Sequence, residues 1–557
     1  MKRTKKMIAW ATALAMAVVP AATSRADENT DASENAFAKY DETVEISSVK
    51  NLGASGLDFP EGDSLEDNVW SRYLEETLNI KLNWLWSTNS EQYPQKVNIA
   101  ITSDDIPDVM QVSASQLKMM YDNGQIMDIT DVMKENLAPY TEEVLNSDGG
   151  LGLQAATFDG KLYAIPKVGS PLLTAKVLWI RTDWLENLGL ELPKTVEDMR
   201  NLAEAFTTQD PDGNGEDDTI GILGPSNSDH MNAIGGNQYG LDPLFSSFQS
   251  YPQYWLQGKD GTVEYGSIQP ETRDALEKIS ELYTNKLIDP EMLVRSDSKE
   301  PLLAGKVGIF FGPWWSGYTV ADATLAGAAD WRAYFTPLSE DGNYYTHMAE
   351  PTTQYVVASK ACKNPEAAFK IINYLIENQQ KWVDEGISTT EMVTSDFYPL
   401  YNTYDNADEI EVSYDVLTKY LAGETTMDDV DFSKHKLLKS DMEAVKKLKK
   451  EPYDDFSLDK WNLDSDIAKN NLPRLVAILV GDAPSVNEKY VPVYNAYNGQ
   501  TETMETKWAN LKKMEEETFS KIVMGKADIS EFDTFVKNWK SQGGDQILKE
   551  INDELSK

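Results

Sequence analysis

The sequence contains very little cysteine and histidine. Cys362 is its one cysteine, and its three histidines, His230, His347 and His435, are far apart in a chain of 557 residues. A single cysteine cannot form a disulfide framework within the chain, and these histidines lack the spacing of a zinc site. The sequence also lacks a Gly-x-Ser-x-Gly elbow and a phosphate-binding glycine loop after a strand. These absences weigh against zinc, serine-hydrolase and nucleotide chemistry, and Cys362 is interpreted as a small buried residue rather than a nucleophile.

Positive charge is also scarce. The chain has 51 Lys and Arg residues against 91 Asp and Glu residues, which gives a net charge of −40. Nucleic acids and anionic lipid surfaces are bound through clustered basic residues. We therefore expect no nucleic-acid partner. The acidity is interpreted mainly as a source of solubility, with affinity for calcium as a secondary consequence.

Several of the few basic residues lie at the N-terminus, just before an apolar run over residues 7–22. Small residues follow the run, and this order is typical of a secretory signal peptide. The run is too short for a membrane-spanning helix. We predict a signal peptide over residues 1–26, cleaved after Ala26, and a flexible polar tether over residues 27–42. No cysteine follows the run to accept a lipid, so the sequence predicts an exported protein without a lipid anchor on cysteine.

Strand and helix patterns alternate in the next part of the chain. Residues 43–49 and 80–86 have strand patterns with a helical pattern between them, and an apolar strand over residues 106–112 is entered through a proline turn. This alternation predicts an α/β fold with a largely parallel sheet. Ligands of such sheets bind at the carboxyl ends of the strands, so the loop at residues 111–116 is placed to meet a ligand. Beyond about residue 405 the pattern is mainly helical.

The segment 210–218 has the spacing of a calcium-binding loop. Side-chain oxygens occur at its first, third, fifth and ninth positions, glycine occupies the sixth, and a backbone carbonyl is available at the seventh. Gly221 occupies the twelfth position, where an EF-hand has a bidentate Glu, so another ligand or water must complete the coordination. We predict a structural calcium ion, with a solvated turn as the alternative; the candidate ligands are Asp210, Asp212, Asn214, Glu216 and Asp218.

A second motif is an apolar strand over residues 305–312 that ends in Pro313, Trp314 and Trp315. Proline ends the strand, and two adjacent side chains cannot both point into one core. An exposed indole is expected to contact a ligand or a partner. We predict that Trp314 and Trp315 provide a platform for a ligand ring; the alternative is that both fill a core or the edge of a cleft.

These motifs resemble those of a known family. The run from Ala304 through Trp314 resembles the segment that supplies a sugar-stacking Trp in maltose-type binding proteins, and residues 101–110 and 124–130 are similar to the signature of their first domain. Further stretches resemble a larger, lipoprotein-like subgroup, the carbohydrate-binding components of Gram-positive ABC importers. These stretches are residues 179–185, the acidic loop at 210–218, and the tail segments 519–522 and 543–547.

The resemblance implies a periplasmic-binding-protein type II fold, with two α/β lobes that close on a ligand by hinge motion. We expect lobe 1 at residues 43–172 plus about 340–390, and lobe 2 at residues 173–339 plus about 391–557. In that family the loop after the strand at residues 106–112 contacts the sugar. The ligand candidates that follow from this position are Gln111, Ser113, Ser115 and Gln116. Three further candidates lie in aromatic or amide-rich loops: Tyr163, His230 and Tyr251.

The implied function is capture of an oligosaccharide outside the cell and its delivery to the permease subunits of an ABC importer, by a protein expected to be monomeric. The alternative is a secreted glycoside hydrolase that works with two carboxylates. With 91 acidic residues some pair is always available, so the sequence alone does not decide between them. An adhesion or scaffold protein would show repeats or a cell-wall anchor, and the sequence shows neither. We expect a binding protein rather than an enzyme.

Overall fold

The structure is a computed structural model that describes residues 34–53, 56–226, 238–327, 329–350, 352–378, 397–400, 406–432, 437–449, 461–462 and 466–556. The predicted signal peptide, residues 27–33 of the predicted tether and the candidate ligand residue His230 lie outside the described residues. None of the helices in the described ranges combines the length and the hydrophobicity that crossing a bilayer requires.

The described residues contain strands and helices in alternation over most of the chain. The strands are β1 (Val44–Asn51), β2 (Ile80–Thr88), β3 (Val109–Val112), β4 (Thr157–Phe158), β5 (Lys161–Leu162), β6 (Ala164–Pro166), β7 (Lys176–Arg181), β8 (Ile220–Ile222), β9 (Trp255–Gln257), β10 (Val263–Tyr265), β11 (Val307–Pro313), β12 (Trp331–Tyr334), β13 (Tyr345–His347), β14 (Tyr355–Ala358) and β15 (Val491–Val493). The principal helices are Val69–Leu78, Tyr93–Ser103, Ala114–Asp122, Thr130–Asn136, Pro139–Asn146, Thr182–Leu188, Val196–Thr208, Pro270–Thr284, Gly317–Gly327, Glu366–Glu377, Glu409–Leu421, Leu438–Leu448, Asp466–Val476, Glu502–Val523, Glu531–Trp539 and Asp545–Leu555.

A first body is built on β1 to β6 and β14. β1 and β2 pair in parallel, while β14 lies between β3 and β6 and runs antiparallel to both. One hydrophobic core takes its residues from positions 46–168 and then again from positions 355–407. The first body is therefore made of two separate stretches of the chain.

A second body contains a four-stranded sheet in the order β12-β7-β11-β8. Every residue of β7 and β11 is buried, as expected for strands that are covered on both faces. Their side chains alternate between two cores. Leu178, Ile180, Ile309 and Phe311 enter one of them, and Val177, Trp179, Val307 and Phe310 enter the other.

The expectation of a largely parallel sheet is wrong for both main sheets. β14 is antiparallel to its two neighbours, and β7 is antiparallel to β11 and β12. β14 belongs to the segment that returns from the second body, so it enters the first sheet in the opposite direction to β3 and β6. Parallel pairing occurs between β1 and β2, β8 and β11, and β13 and β15.

The C-terminal part of the chain is helical, as predicted, and it packs in two places. Helices Glu502–Val523, Glu531–Trp539 and Asp545–Leu555 add residues to the core beneath the four-stranded sheet. Helices Glu409–Leu421 and Leu438–Leu448 form a separate core with Leu475, Ile478 and Leu479. This last core, called the helical core below, lies against the turn that carries the two adjacent tryptophans, because Trp314 packs on it.

Candidate functional site

A cavity of about 460 Å³ lies where the chain passes between the two bodies. Its walls come from the segment that leaves the first body before β7, from the segment that returns before β14, and from two loops of the second body. The lining residues are Lys167, Gly169, Ser170, Leu173, Thr174, Gln253, Tyr254, Met348, Ala349, Glu350, Thr352, Thr353 and Asn495. Both segments that pass between the bodies therefore contribute to the wall of this cavity.

The cavity wall is rich in hydroxyl and amide groups, and several are held in place. The Tyr254 hydroxyl donates to the Met348 carbonyl at 2.9 Å, and the Thr352 hydroxyl donates to the Gln354 carbonyl at 2.9 Å. The Asn495 side chain accepts from the Trp255 amide at 2.8 Å and donates to Asn498 at 2.7 Å. A wall of fixed polar groups can form hydrogen bonds with a polyhydroxylated ligand.

The charged groups of the cavity do not match those of a glycosidase. Lys167 and Glu350 are the charged residues among its described lining residues, whereas glycoside hydrolysis requires two carboxyl groups that flank the scissile bond. Burial raises the pKa of Glu350, so its carboxyl retains a proton to higher pH than an exposed Glu. The described lining of the cavity therefore offers one carboxyl group, that of Glu350.

A buried polar cluster supports the wall from behind. Lys176, at the start of β7, pairs with Asp242 at 2.5 Å, and both side chains are at most 4% exposed. The His347 ring packs edge-on against Tyr254, with ring centroids 4.6 Å apart. Burial lowers the pKa of His347 to about 4, so this ring is neutral at physiological pH. The cluster fixes Tyr254 and the start of β7 relative to each other.

The two adjacent tryptophans occupy different environments. Trp314 is half-buried and packs on the helical core. Trp315 is also half-buried, and its indole nitrogen donates to the Leu173 carbonyl at 2.9 Å. Leu173 lines the cavity, so Trp315 lies at the cavity edge while Trp314 faces away from it. The role of either indole in ligand binding stays a prediction.

The candidates in the loop after β3 stabilise the start of a helix. Ser113 and Gln116 form a reciprocal capping box for helix Ala114–Asp122. The Gln116 side chain is buried and donates to Asn98 at 2.8 Å, and the Ser115 hydroxyl lies 3.1 Å from that of Ser113. Gln111 lies in β3, where it pairs with Val356 of β14. None of these side chains is among the lining residues of the described cavity.

The remaining ligand candidates pack against other aromatic rings. Tyr163 contacts Tyr121 edge-on with ring centroids 4.8 Å apart. Tyr251 is buried and contacts His347 edge-on at 5.4 Å, which places it one ring away from Tyr254 at the cavity wall. The structure thus brings Trp315 and Tyr251 to the margin of the cavity, while Tyr163 lies in the first body.

The acidic loop brings four of its five predicted ligands together. The Asn214 amide nitrogen donates to Asp212 at 2.9 Å and to Asp218 at 3.4 Å, and Asp210 accepts from the backbone nitrogen of Asn214 at 3.1 Å. Glu216 joins through its backbone, which donates to the Asn214 side chain at 2.6 Å. In the described ranges no three His, Cys, Asp or Glu side chains are placed to hold a metal ion.

Several carboxylates lie close together in this loop, and they shift each other's pKa values. Burial and the neighbouring carboxylates Asp210 and Asp218 raise the pKa of Asp212, while a hydrogen bond from Lys306 lowers the pKa of Asp218. Gly221, at the twelfth position, lies on β8, where a Cβ atom would stand 2.5 Å from the Ala203 carbonyl oxygen. Close packing therefore requires glycine there, and a twelfth-position ligand is sterically excluded.

None of the residues that line the cavity is among the ligand candidates predicted from the sequence. Sequence reasoning searched for exposed aromatic rings, whereas Thr174, Gln253, Thr352 and Asn495 are polar residues in four distant loops. One available signal was the Asn-rich run at residues 494–499, which follows a short strand. Its fixed amides are typical of a polar recognition loop.

Comparison with known proteins is consistent with this geometry. The chain matches the family described as bacterial extracellular solute-binding protein over residues 58–382. It is 24% identical over 485 residues to the polygalacturonan/rhamnogalacturonan-binding protein YtcQ of Bacillus subtilis (strain 168), covering 86% of each chain. It is 28% identical over 233 residues to the fructooligosaccharide ABC transporter substrate-binding protein FusA of Streptococcus pneumoniae serotype 4, covering 39% of this chain and 41% of that protein.

The fold is also found among solved structures. The alginate-binding protein AlgQ2, solved without calcium ion, superposes with a TM-score of 0.57 at 15% identity, covering 94% of this chain and 100% of that one. The predicted fold class is confirmed: the architecture is that of the type II periplasmic binding proteins, with two α/β lobes, a hinge and a ligand cleft between them. The relatives are binding proteins rather than enzymes. The family match extends over more than half of the chain, and the chain therefore belongs to the bacterial extracellular solute-binding proteins.

Proposed function

We propose that this protein captures an oligosaccharide in the cavity between its two bodies and delivers it to the permease subunits of an ABC importer. The observation that carries the proposal is the cavity itself, with its fixed hydroxyl and amide groups and the Trp315 indole at its edge. Sugars bind through such hydrogen bonds and through contact of their C–H faces with aromatic rings. YtcQ and FusA support the same ligand class, because their names describe them as proteins for polygalacturonan or rhamnogalacturonan and for fructooligosaccharide.

Ligand capture is coupled to closure of the two lobes. The chain passes from one hydrophobic core to another near residues 167–175, 348–354 and 407–410. These three segments are the proposed hinge. A ligand held by both lobes stabilises the closed state by its extra contacts there. The closed form then presents a surface that the permease distinguishes from the open one.

The proposal also includes that the protein is exported and that it acts as a monomer. The basic and apolar start of the sequence serves as a signal peptide that is removed after Ala26. The protein acts outside the cytoplasmic membrane, where an ABC importer receives its substrate.

Thermal unfolding against a panel of sugars tests the function. A sugar present at 100 times its Kd should add about 2.7 kcal/mol to the free energy of unfolding, because it binds only the folded state. The panel contains neutral and uronate oligosaccharides, their monosaccharides, and peptides as controls. Each active sugar is recovered and analysed after incubation.

Two outcomes would contradict the proposal. Stabilisation by peptides alone would assign the cavity to another ligand class. Recovery of a shortened sugar would establish hydrolysis and direct the search to carboxylate pairs.

We also propose that the loop at 210–218 holds a structural calcium ion. Carboxylate and amide oxygens are the ligands that calcium prefers, and Asp210, Asp212, Asn214 and Asp218 are already joined by hydrogen bonds. A cation would relieve the crowding that raises the pKa of Asp212. The ion would fix the connection between helix Val196–Thr208 and β8, with no role in ligand chemistry.

Calcium is expected to raise the unfolding temperature, and a chelator is expected to reverse the effect. At 100 times its Kd the ion adds about 2.7 kcal/mol. Asp212→Asn should abolish most of this gain, and the exposed Asp322→Asn serves as a matched control. Equal unfolding temperatures with calcium and with chelator would leave the solvated turn as the explanation.

A further inference from the structure

Among the described residues, two acidic side chains behind the Trp314–Ser316 turn have buried carboxyl oxygens without a hydrogen-bond partner. Asp482 is fully buried, and within the described ranges neither of its carboxyl oxygens accepts a hydrogen bond from a charged group; the Ser485 side chain is the polar group that favours its ionised form. Glu411, on helix Glu409–Leu421, has a buried Oε2 atom that is also without a partner. The charge of Glu411 acts on Asp482. Two ionised carboxylates cannot be held together in such a place without a counter-charge, so the pair must retain a proton.

Arg474, the cation that pairs with the helix carrying Glu411, is engaged elsewhere. Arg474 is bound to Glu409 at 2.6 Å and to Asp441 at 3.0 Å, so its charge is already shared between two carboxylates. Burial, followed by the charge of Glu411, raises the pKa of Asp482 to about 8. Burial raises the pKa of Glu411 to about 7. In the described ranges, the other titratable or charged groups around the pair and the elements packed on it are Asp408, Tyr490, Tyr494, Tyr318, Glu488, Asp330 and Arg332.

Asp482 directly follows a π-helical turn, Ala477–Gly481, on which the tryptophan turn is seated. A Cβ atom at Gly481 would lie 2.2 Å from the Trp314 carbonyl oxygen, so the two backbones are in direct contact. On the other side, a Cβ atom at Gly317 would lie 2.3 Å from the Ala477 Cα atom. The turn that carries Trp314 and Trp315 therefore cannot move independently of the residues just before Asp482.

We propose that Glu411 and Asp482 act together as a pH-dependent positioning pair for the Trp314–Ser316 turn. With the proton in place, the turn stays seated on Gly481 and holds Trp315 at the cavity edge. Loss of the proton makes the two carboxylates repel each other and draws water toward them, which displaces the turn. The consequence for sugar binding, a lower affinity at alkaline pH, rests on the proposed function.

The direction of the pH effect follows from the state of the chain that holds the protons more tightly. The folded state keeps these protons to a higher pH than the unfolded chain, whose carboxyl groups ionise near pH 4. The protonated pair, which stabilises the fold, is therefore fully present at acid pH. It is lost as the pH rises through the folded pKa values, between about 7 and 8.

Fluorine NMR of the 5-fluorotryptophan-labelled full chain tests the pair without any sugar. Trp314→Phe and Trp315→Phe identify the two resonances, and the pH is raised from about 6 to about 9. We expect at least the Trp315 resonance to shift with a midpoint between about pH 7 and 8. In Asp482→Asn the shift should be strongly reduced, because Glu411 is then the one carboxyl of the pair that can ionise and no like charge repels it.

Glu411→Gln provides a second variant in case Asp482→Asn does not fold. Glu488→Gln is the matched control, because Glu488 is a half-buried carboxyl that accepts from the Phe335 backbone amide; it should retain the wild-type titration. A wild-type Trp315 resonance that does not move, or one that titrates unchanged in both Asp482→Asn and Glu411→Gln, would overturn the proposal. Since no sugar is present, failure of the proposed function cannot produce either result.

Discussion

Replacement of Lys176 by Met is expected to lower the free energy of unfolding by about 3 to 5 kcal/mol at neutral pH. Lys176 pairs with Asp242 at 2.5 Å, and the two side chains are 4% and 3% exposed. Without the ammonium group, the Asp242 carboxylate would remain buried with no counter-charge. The neighbouring His347 cannot replace it, because burial keeps that ring neutral.

The loss should come from the uncompensated charge and not from the missing contact. The double variant Lys176→Met/Asp242→Leu is therefore expected to recover most of the lost stability, because a buried ion pair contributes little over an apolar pair of similar size. Urea unfolding followed by tryptophan fluorescence measures both. Lys299→Met is the matched control: it breaks a pair with Asp322 whose side chains are 39% and 51% exposed, and it should cost less than about 1 kcal/mol.

A loss below about 1 kcal/mol in Lys176→Met would contradict this account, since it would mean that water reaches Asp242. A double variant as unstable as the single one would assign the effect to packing. Either result would also weaken the view that this cluster fixes Tyr254 at the cavity wall.

Local features of the fold could be predicted from the sequence because they depend on neighbouring residues. The Asp159-Gly160 turn joins β4 and β5 with both residues in the left-handed region, as expected for a two-residue hairpin. Thr195 and Asp198, three residues apart at the start of helix Val196–Thr208, form a capping box. Ser113 and Gln116 have the same three-residue spacing, so their capping role could also have been inferred.

The direction of the strands and the position of the cavity depend on residues far apart in the chain. β14 enters the first sheet from a segment almost 190 residues after β6, and no local pattern gives its orientation. The cavity likewise gathers Ser170, Tyr254, Met348 and Asn495 from four regions. Each of these residues is ordinary in its own stretch of sequence, so only the folded chain reveals that they meet.

The tryptophan motif shows the same limit within two adjacent residues. The sequence correctly implies that the two indoles point in different directions, and the structure places Trp314 on the helical core and Trp315 beside Leu173. Which direction leads to a ligand depends on where the helical core packs. That packing involves residues more than 90 positions later.

Trp315→Ala is expected to weaken sugar binding by about 30-fold. Loss of about 80 Å² of buried indole face, at about 25 cal/mol per Å², removes about 2 kcal/mol of binding energy. Trp314→Ala is expected to act on stability instead, lowering the free energy of unfolding by about 2 kcal/mol through the cavity it leaves in the helical core. Isothermal titration with the sugar identified by thermal unfolding measures the first effect, and urea unfolding measures the second.

Trp84→Ala is the matched control for both measurements. Trp84 is also partly buried and donates its indole N–H to a backbone carbonyl, that of Leu65 at 3.2 Å, but it lies in the first body and does not line the cavity. Its removal should leave sugar affinity unchanged. Loss of binding in Trp314→Ala with wild-type stability would reverse the two assignments, because Trp314 would then contact the sugar in the closed state. Unchanged affinity in both variants would mean that the sugar is held by hydrogen bonds alone, with Tyr254 as the remaining aromatic wall of the cavity.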